Sequence, residues 1–105
     1  MPNLHHKTLT SKKWQEYPKE RQILMLGSEL LRAKNWLMRK DEENSKLCLE
    51  RALEILDFII ADRKWQKERQ NLLRFREVLA ECYLNLPEAG YIMQIFYDWL
   101  TGFKG

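Results

Sequence analysis

Three acidic side chains recur at helical spacing near the middle of the chain and are the residues best suited to chemistry. Glu50, Glu54 and Asp57 fall within an arc of about 60° when their segment is drawn as a helix. Carboxylates grouped in this way can hold Mg²⁺ or Mn²⁺. The preceding helical segment adds Glu29, without a second carboxylate at a matching spacing. These four residues are the metal-site candidates of an alternative function, a metal-dependent all-α hydrolase.

The same acids also have a structural interpretation, because Arg76 is predicted to lie within the apolar face of a later helix. A buried charge without a partner would strongly destabilise the fold. We therefore prefer an internal polar network in which Arg76 is paired and the helices are held in register. Its members are Arg76, Glu29, Glu50, Glu54 and Asp57.

Other catalytic arrangements lack a partner residue. The serines have no histidine in a helical neighbourhood, since both histidines, His5 and His6, lie in the N-terminal tail. Two histidines alone do not complete a metal site. Cys48 and Cys82 fall in apolar helical stretches, where a thiol behaves as a small hydrophobic group. The sequence thus predicts no cofactor and favours a non-enzymatic role.

One short sequence motif, which we call the repeated phrase, occurs twice in the chain. Residues 12–22 (KKWQEYPKERQ) and residues 63–70 (RKWQKERQ) share Lys-Trp-Gln followed by Lys-Glu-Arg-Gln. A duplicated helical hairpin would leave such a trace. Two unrelated helices that begin alike would leave it too, and we prefer this second explanation.

The repeated phrases lie in the basic parts of a chain with net charge +3. Lysine and arginine can pair phosphates, and tryptophan can stack on unpaired bases. Acids interrupt both phrases and no nucleic-acid motif appears, so nucleic-acid binding is a further alternative and is not preferred. Its candidate residues are Lys12, Lys13, Trp14, Arg63, Lys64, Trp65 and Lys67.

Composition predicts an all-α protein. Hydrophobic residues make up 45% of the chain and charged residues 31%, which is typical of a folded domain. Strong helix formers dominate, and Val78 is the only valine. Pro18 begins the first of four main helices, the polar run 40–44 separates the first from the second, and Pro87 separates the third from the fourth. We expect these helices at about residues 18–39, 43–62, 64–84 and 88–101.

Short connections between consecutive helices make antiparallel neighbours, so the expected architecture is an up-down-up-down four-helix bundle. A short lead-in turn precedes it, with Thr10 as its N-cap. We expect residues 1–9 to form a flexible tail and residues 10–105 to form one helical-bundle domain.

The helices carry more apolar residues than four mutual contacts require. Leu24, Leu31 and Met38 recur every seven residues beside the main stripe of their helix, which is the spacing of a helix-on-helix seam. The last helix is similarly broad. Such a surface predicts a homodimer. The interface candidates are Leu24, Leu31, Met38, Ile95, Tyr97 and Trp99.

We expect a small protein–protein interaction domain with an adaptor, chaperone-like or regulatory role. No apolar run approaches the roughly 20 residues that cross a bilayer, and the N-terminus lacks a signal-peptide core. We therefore expect the partners to be a second copy of the chain and possible further proteins. We expect no association with a membrane. The expected location is the cytoplasm.

Overall fold

A computed structural model describes residues 11–86 and 90–102 of the chain, and the expected tail of residues 1–9 lies outside this part. A 3-10 turn, Arg63–Glu68, joins the third and fourth helices. The α-helices of the described residues are α1 (Ser11–Gln15), α2 (Lys19–Met38), α3 (Glu42–Ala61), α4 (Arg69–Leu84) and α5 (Gly90–Thr101).

The four long helices pack as the predicted bundle, and the all-α fold class is confirmed. α2 lies between α3 and α5 and packs extensively against both, while α4 packs against α3 and touches α5 only lightly. The short helix α1 packs on α3. Within the described residues no helix is both long enough and apolar enough to cross a membrane.

The first two boundaries of the bundle follow from local chemistry at the predicted positions. Pro18 caps α2 in an extended conformation and accepts the backbone N–H of Gln22 at 3.1 Å. After α2, Lys40 adopts a positive φ of 61° and turns the chain. Asp41 then caps α3 by accepting the backbone N–H of Asn44 at 3.1 Å. That backbone hydrogen bond, with one from the Asn44 side chain, lowers the pKa of Asp41.

The helix that follows α3 was expected from about residue 64. It begins at Arg69, as α4, because the segment before it is a 3-10 turn. Trp65 interrupts the helical path there, with φ −103° and ψ 15°. Asp62 caps the turn by accepting the backbone N–H of Lys64 at 3.1 Å. The turn lets the Trp65 side chain enter the core, where it is 1% exposed.

The core runs the length of α2 and α3 and is closed by α4 and α5. Its centre is aliphatic, with Leu26, Leu30, Leu49 and Leu56 all fully buried. On the α5 side, α2 carries Gly27, and a Cβ at that position would lie 3.4 Å from the Tyr97 ring. This separation is ordinary van der Waals contact, so the Tyr97 ring of α5 packs directly on α2 at this position.

Candidate functional site

The side-chain amide of Gln22 is the centre of a buried polar cluster at one end of the bundle. Gln22 is 0% exposed, and its Nε2 lies 3.0 Å from the Trp14 carbonyl, 3.2 Å from the Tyr17 carbonyl and 3.0 Å from Asp62 Oδ2. Its Oε1 accepts the indole N–H of Trp65. One amide therefore connects α1, α2, the end of α3 and the 3-10 turn.

The two tryptophans of the repeated phrases are core residues. Trp14 is 0% exposed and Trp65 is 1% exposed. The Trp14 ring stacks on Phe58 with centroids 5.9 Å apart and meets the Tyr17 ring edge-on at 5.7 Å. Neither indole is accessible to an unpaired base, so the base-stacking part of the nucleic-acid alternative is wrong. The physical reason is that both rings gain more by burial in the core than by exposure beside lysines.

The basic side chains of the same phrases divide into two groups. Lys12, Lys13, Arg63 and Lys67 are exposed. Lys64 is half-buried, and its Nζ donates to the Gln15 carbonyl at 2.8 Å and to Asp62 Oδ2 at 2.7 Å. Both basic segments therefore lie at one end of the bundle, where the hydrogen bond from Lys64 to the Gln15 carbonyl holds α1 in place.

Asp62 is the charged member of the Gln22 cluster and is 4% exposed. Burial alone would raise the pKa of its carboxyl group. The side-chain hydrogen bonds from Lys64 and Gln22, with the backbone N–H of Lys64, outweigh burial and lower the pKa of Asp62 below its usual 3.8. The ionised carboxylate is therefore the form that holds the cluster together.

One donor in the cluster's neighbourhood is left over. The Trp14 indole N–H is buried and, among the described residues, is the buried side-chain polar atom without a hydrogen-bond partner. Such a group opposes folding by about 1–3 kcal/mol. The ring contacts of Trp14 and the bonds to its backbone carbonyl must offset that cost.

Glu29 is buried as predicted, but its partners differ from the predicted one. Glu29 Oε1 accepts from Arg51 Nε at 3.2 Å, and Oε2 accepts from Arg32 Nη1 at 3.2 Å. Arg51 also donates to Cys48 Sγ at 3.4 Å. Burial lowers the pKa of Arg51, but the hydrogen bond and charge of Glu29 outweigh it and raise that pKa. This ion pair joins α2 to α3 and leaves Arg76 outside it.

Arg76 pairs with Asp57 on the surface, so the prediction that it lies in an internal network is wrong. Arg76 Nε donates to Asp57 Oδ1 at 2.6 Å, and the two side chains are 39% and 55% exposed. A helical wheel places the Cβ of an arginine, whereas its long stem carries the guanidinium to the edge of the helix pair. An exposed pair of this kind contributes at most about 1 kcal/mol.

The remaining acids of α3 are also engaged separately. Glu50 accepts the Tyr83 hydroxyl at 2.7 Å, and that hydrogen bond, with burial and the glutamate charge, raises the pKa of Tyr83. Glu54 is half-buried on the same helix. Among the described residues no group of three or more acidic, histidine or cysteine side chains is arranged to hold a metal ion. The metal-site alternative therefore gains no geometric support.

Both cysteines are free thiols in the core, at 1% and 3% exposure. Burial raises the pKa of Cys48 and of Cys82, with a smaller opposing effect of Arg51 on Cys48. A raised pKa reduces the thiolate fraction at neutral pH, and the thiolate is the reactive form. The structure thus agrees with the prediction that both residues pack as small hydrophobic groups.

Of the six interface candidates, three are strongly exposed. Leu24 is 65%, Met38 is 70% and Ile95 is 55% exposed, while Leu31 is half-buried between Leu24 and Met38. Tyr97 is half-buried, with its ring beside Gly27 of the same chain, and its assignment to an intermolecular surface stays a prediction. The Trp99 side chain lies outside the described residues. We call Leu24, Leu31 and Met38 the α2 stripe.

Two features of this geometry were missed from the sequence although a signal for each existed. Gln22 occupies a position on the apolar face of α2, one turn before Leu26, and a polar residue there requires a buried partner. Arg51 stands beside the main apolar face of α3. A search for polar residues at apolar positions would have selected Gln22 before Arg76.

Comparison of the chain with protein-family models, with curated proteins and with solved structures finds no match.

Replacing Gln22 with Leu should lower the free energy of unfolding by about 2–4 kcal/mol, because it strands the Trp65 indole N–H and removes a donor from Asp62. Gln70 holds the corresponding position in the second phrase but is exposed. Gln70→Leu is therefore the matched control, with an expected change below about 0.5 kcal/mol. Urea denaturation measures both, and equal effects would contradict the role assigned to Gln22.

The Asp62 carboxylate makes a pH-dependent contribution of predictable sign. Since its pKa is lower in the folded chain than its usual 3.8, the contribution is present above that value and is lost as the pH falls through the folded pKa. Asp62→Asn should therefore destabilise the protein at pH 7, and its difference from wild type should narrow below about pH 4. Glu77→Gln, which alters an exposed acid, is the control. A difference independent of pH would contradict the assignment.

Proposed function

We propose that this chain is a small cytoplasmic protein–protein interaction domain that acts as a homodimer in an adaptor, chaperone-like or regulatory role. The observation that carries the proposal is the exposure of the α2 stripe, in which Leu24 and Met38 are 65% and 70% exposed. The free, buried cysteines are consistent with a reducing compartment.

The spacing of these side chains along the helix supports the proposal. Leu24, Leu31 and Met38 are seven residues apart, or two helical turns, so they lie along one side of α2. Isolated exposed leucines are ordinary on protein surfaces, whereas an apolar line across a helix is the pattern of helix pairing. Closed twofold pairing is the commonest way in which a soluble chain covers such a line.

The enzymatic and nucleic-acid alternatives have less support than the dimer. Glu29 and Asp57 are engaged with arginines, and Glu50 with a tyrosine hydroxyl. The indoles that would stack on bases are buried. Base stacking would therefore require part of the core to open, and metal binding would require existing side-chain contacts of the acids to break.

Light scattering at micromolar concentration should give a mass near twice the 12.8 kDa of one chain. Leu24→Glu should move that mass towards one chain, because symmetry places a charge in the apolar contact twice. The helical circular dichroism should be retained, since this side chain lies on the surface.

Leu73→Glu is the matched control, because Leu73 is 42% exposed and lies on α4, which packs on α3, outside both charged ends of the bundle. It should leave the mass unchanged. A wild-type protein that stays monomeric at high concentration would overturn the homodimer. Loss of the dimer with Leu73→Glu, but not with Leu24→Glu, would overturn the assignment of the surface.

A further inference from the structure

Charge is distributed unequally between the two ends of the bundle. At the basic end, which comprises residues 12–22 and 62–70, each segment carries four basic and two acidic side chains. Contacts such as Lys64 Nζ to the Gln15 carbonyl, at 2.8 Å, hold these segments together. At the opposite, acidic end, residues 39–46 carry three of each sign, and residues 77–84 carry two acids and no base.

The α2 stripe runs between these two ends and is symmetric about its middle residue. Leu24 precedes Leu31 by seven residues and Met38 follows it by seven, so each lies about 10 Å from Leu31 along the helix axis. The two outer side chains are strongly exposed and similar in size. A line of this form can pair with itself after the helix is reversed.

We propose that two copies of the chain pair through α2 in antiparallel orientation, with a twofold axis at Leu31. Leu24 of each copy then packs against the partner's Met38, and the two Leu31 side chains meet on the axis. This inference rests on the proposed homodimer and specifies its geometry.

The charge distribution favours a second copy of the chain as the partner that covers the α2 stripe. It also favours the antiparallel orientation of the two copies. Antiparallel pairing sets the basic end of one copy beside the acidic end of the other. It also places the two α2 macrodipoles antiparallel, which is the favourable arrangement. Parallel pairing through the same stripe would set two basic ends side by side. Complementary potentials favour the first arrangement, and like charges disfavour the second.

Disulfide trapping distinguishes the two orientations. In a Cys48→Ala/Cys82→Ala background, Leu24→Cys and Met38→Cys are made as separate chains and oxidised alone and as an equimolar mixture. Antiparallel pairing predicts a crosslinked dimer in the mixture and little with either chain alone. The reason is that the two Leu24 positions would lie about 20 Å apart, whereas a disulfide needs Cα atoms within about 7 Å.

Each other outcome decides a different question. Crosslinking of each variant with itself, without gain on mixing, would show parallel pairing and overturn the orientation while the homodimer stands. The orientation would also be overturned if the Cys48→Ala/Cys82→Ala chain is dimeric but neither cysteine variant nor their mixture crosslinks. A monomeric mass for the wild-type chain would overturn the homodimer itself, and the orientation with it.

Salt dependence tests the same orientation on the unmodified chain. Raising the ionic strength from about 0.02 M to about 0.5 M shortens the Debye length and weakens attraction between opposite ends. The dissociation constant of an antiparallel dimer should therefore rise by about fivefold or more, as measured by sedimentation. A dissociation constant that stays constant or falls on adding salt would contradict the antiparallel arrangement.

Discussion

A single buried amide constrains the end of the bundle at which the chain is most irregular. Gln22 reaches the carbonyls of Trp14 and Tyr17, the carboxylate of Asp62 and the indole of Trp65. The helix α1, with only five residues, is far too short to be stable alone. The position of α1, and with it the burial of Trp14, therefore depends on the hydrogen bonds that the Gln22 side chain of α2 donates to the Trp14 and Tyr17 carbonyls. The 3-10 turn depends on the same amide, since the Trp65 ring enters the core beside it.

The polar contacts of the interior are concentrated on the α2–α3 pair. Besides the Gln22 cluster, the Ser45 hydroxyl donates to the Ala33 carbonyl at 2.7 Å, and Arg51 pairs with Glu29. Hydrogen bonds of this kind fix the register of two helices, whereas apolar contacts alone tolerate sliding. α5 instead approaches α2 at Gly27 and leaves the α2 stripe uncovered. The surface proposed for dimerisation is therefore held on the most tightly specified helix of the bundle.

Helix boundaries could be predicted from the sequence where local chemistry determines them, whereas the 3-10 turn before α4 was not foreseen. Pro18 and the polar run that includes Asp41 end or begin helices by their own backbone and capping properties. Side-chain partners could not be predicted in the same way. Arg76 has a long stem that reaches solvent, and the Tyr97 ring packs on α2 at Gly27. Such outcomes depend on the separation of neighbouring helices, which a helical wheel does not contain.

Hydrogen exchange of the indole N–H groups tests the central role of Gln22 most directly, because it observes the bond from Trp65 in the unaltered protein. Trp65 is buried and bonded to Gln22, whereas Trp36 is half-buried near the end of α2. In NMR spectra at neutral pH, the Trp65 indole should exchange only through global unfolding, and its rate should follow the free energy of unfolding. The Trp36 indole should exchange faster. Exchange of Trp65 as fast as that of Trp36 would show that the cluster opens locally and would contradict the account.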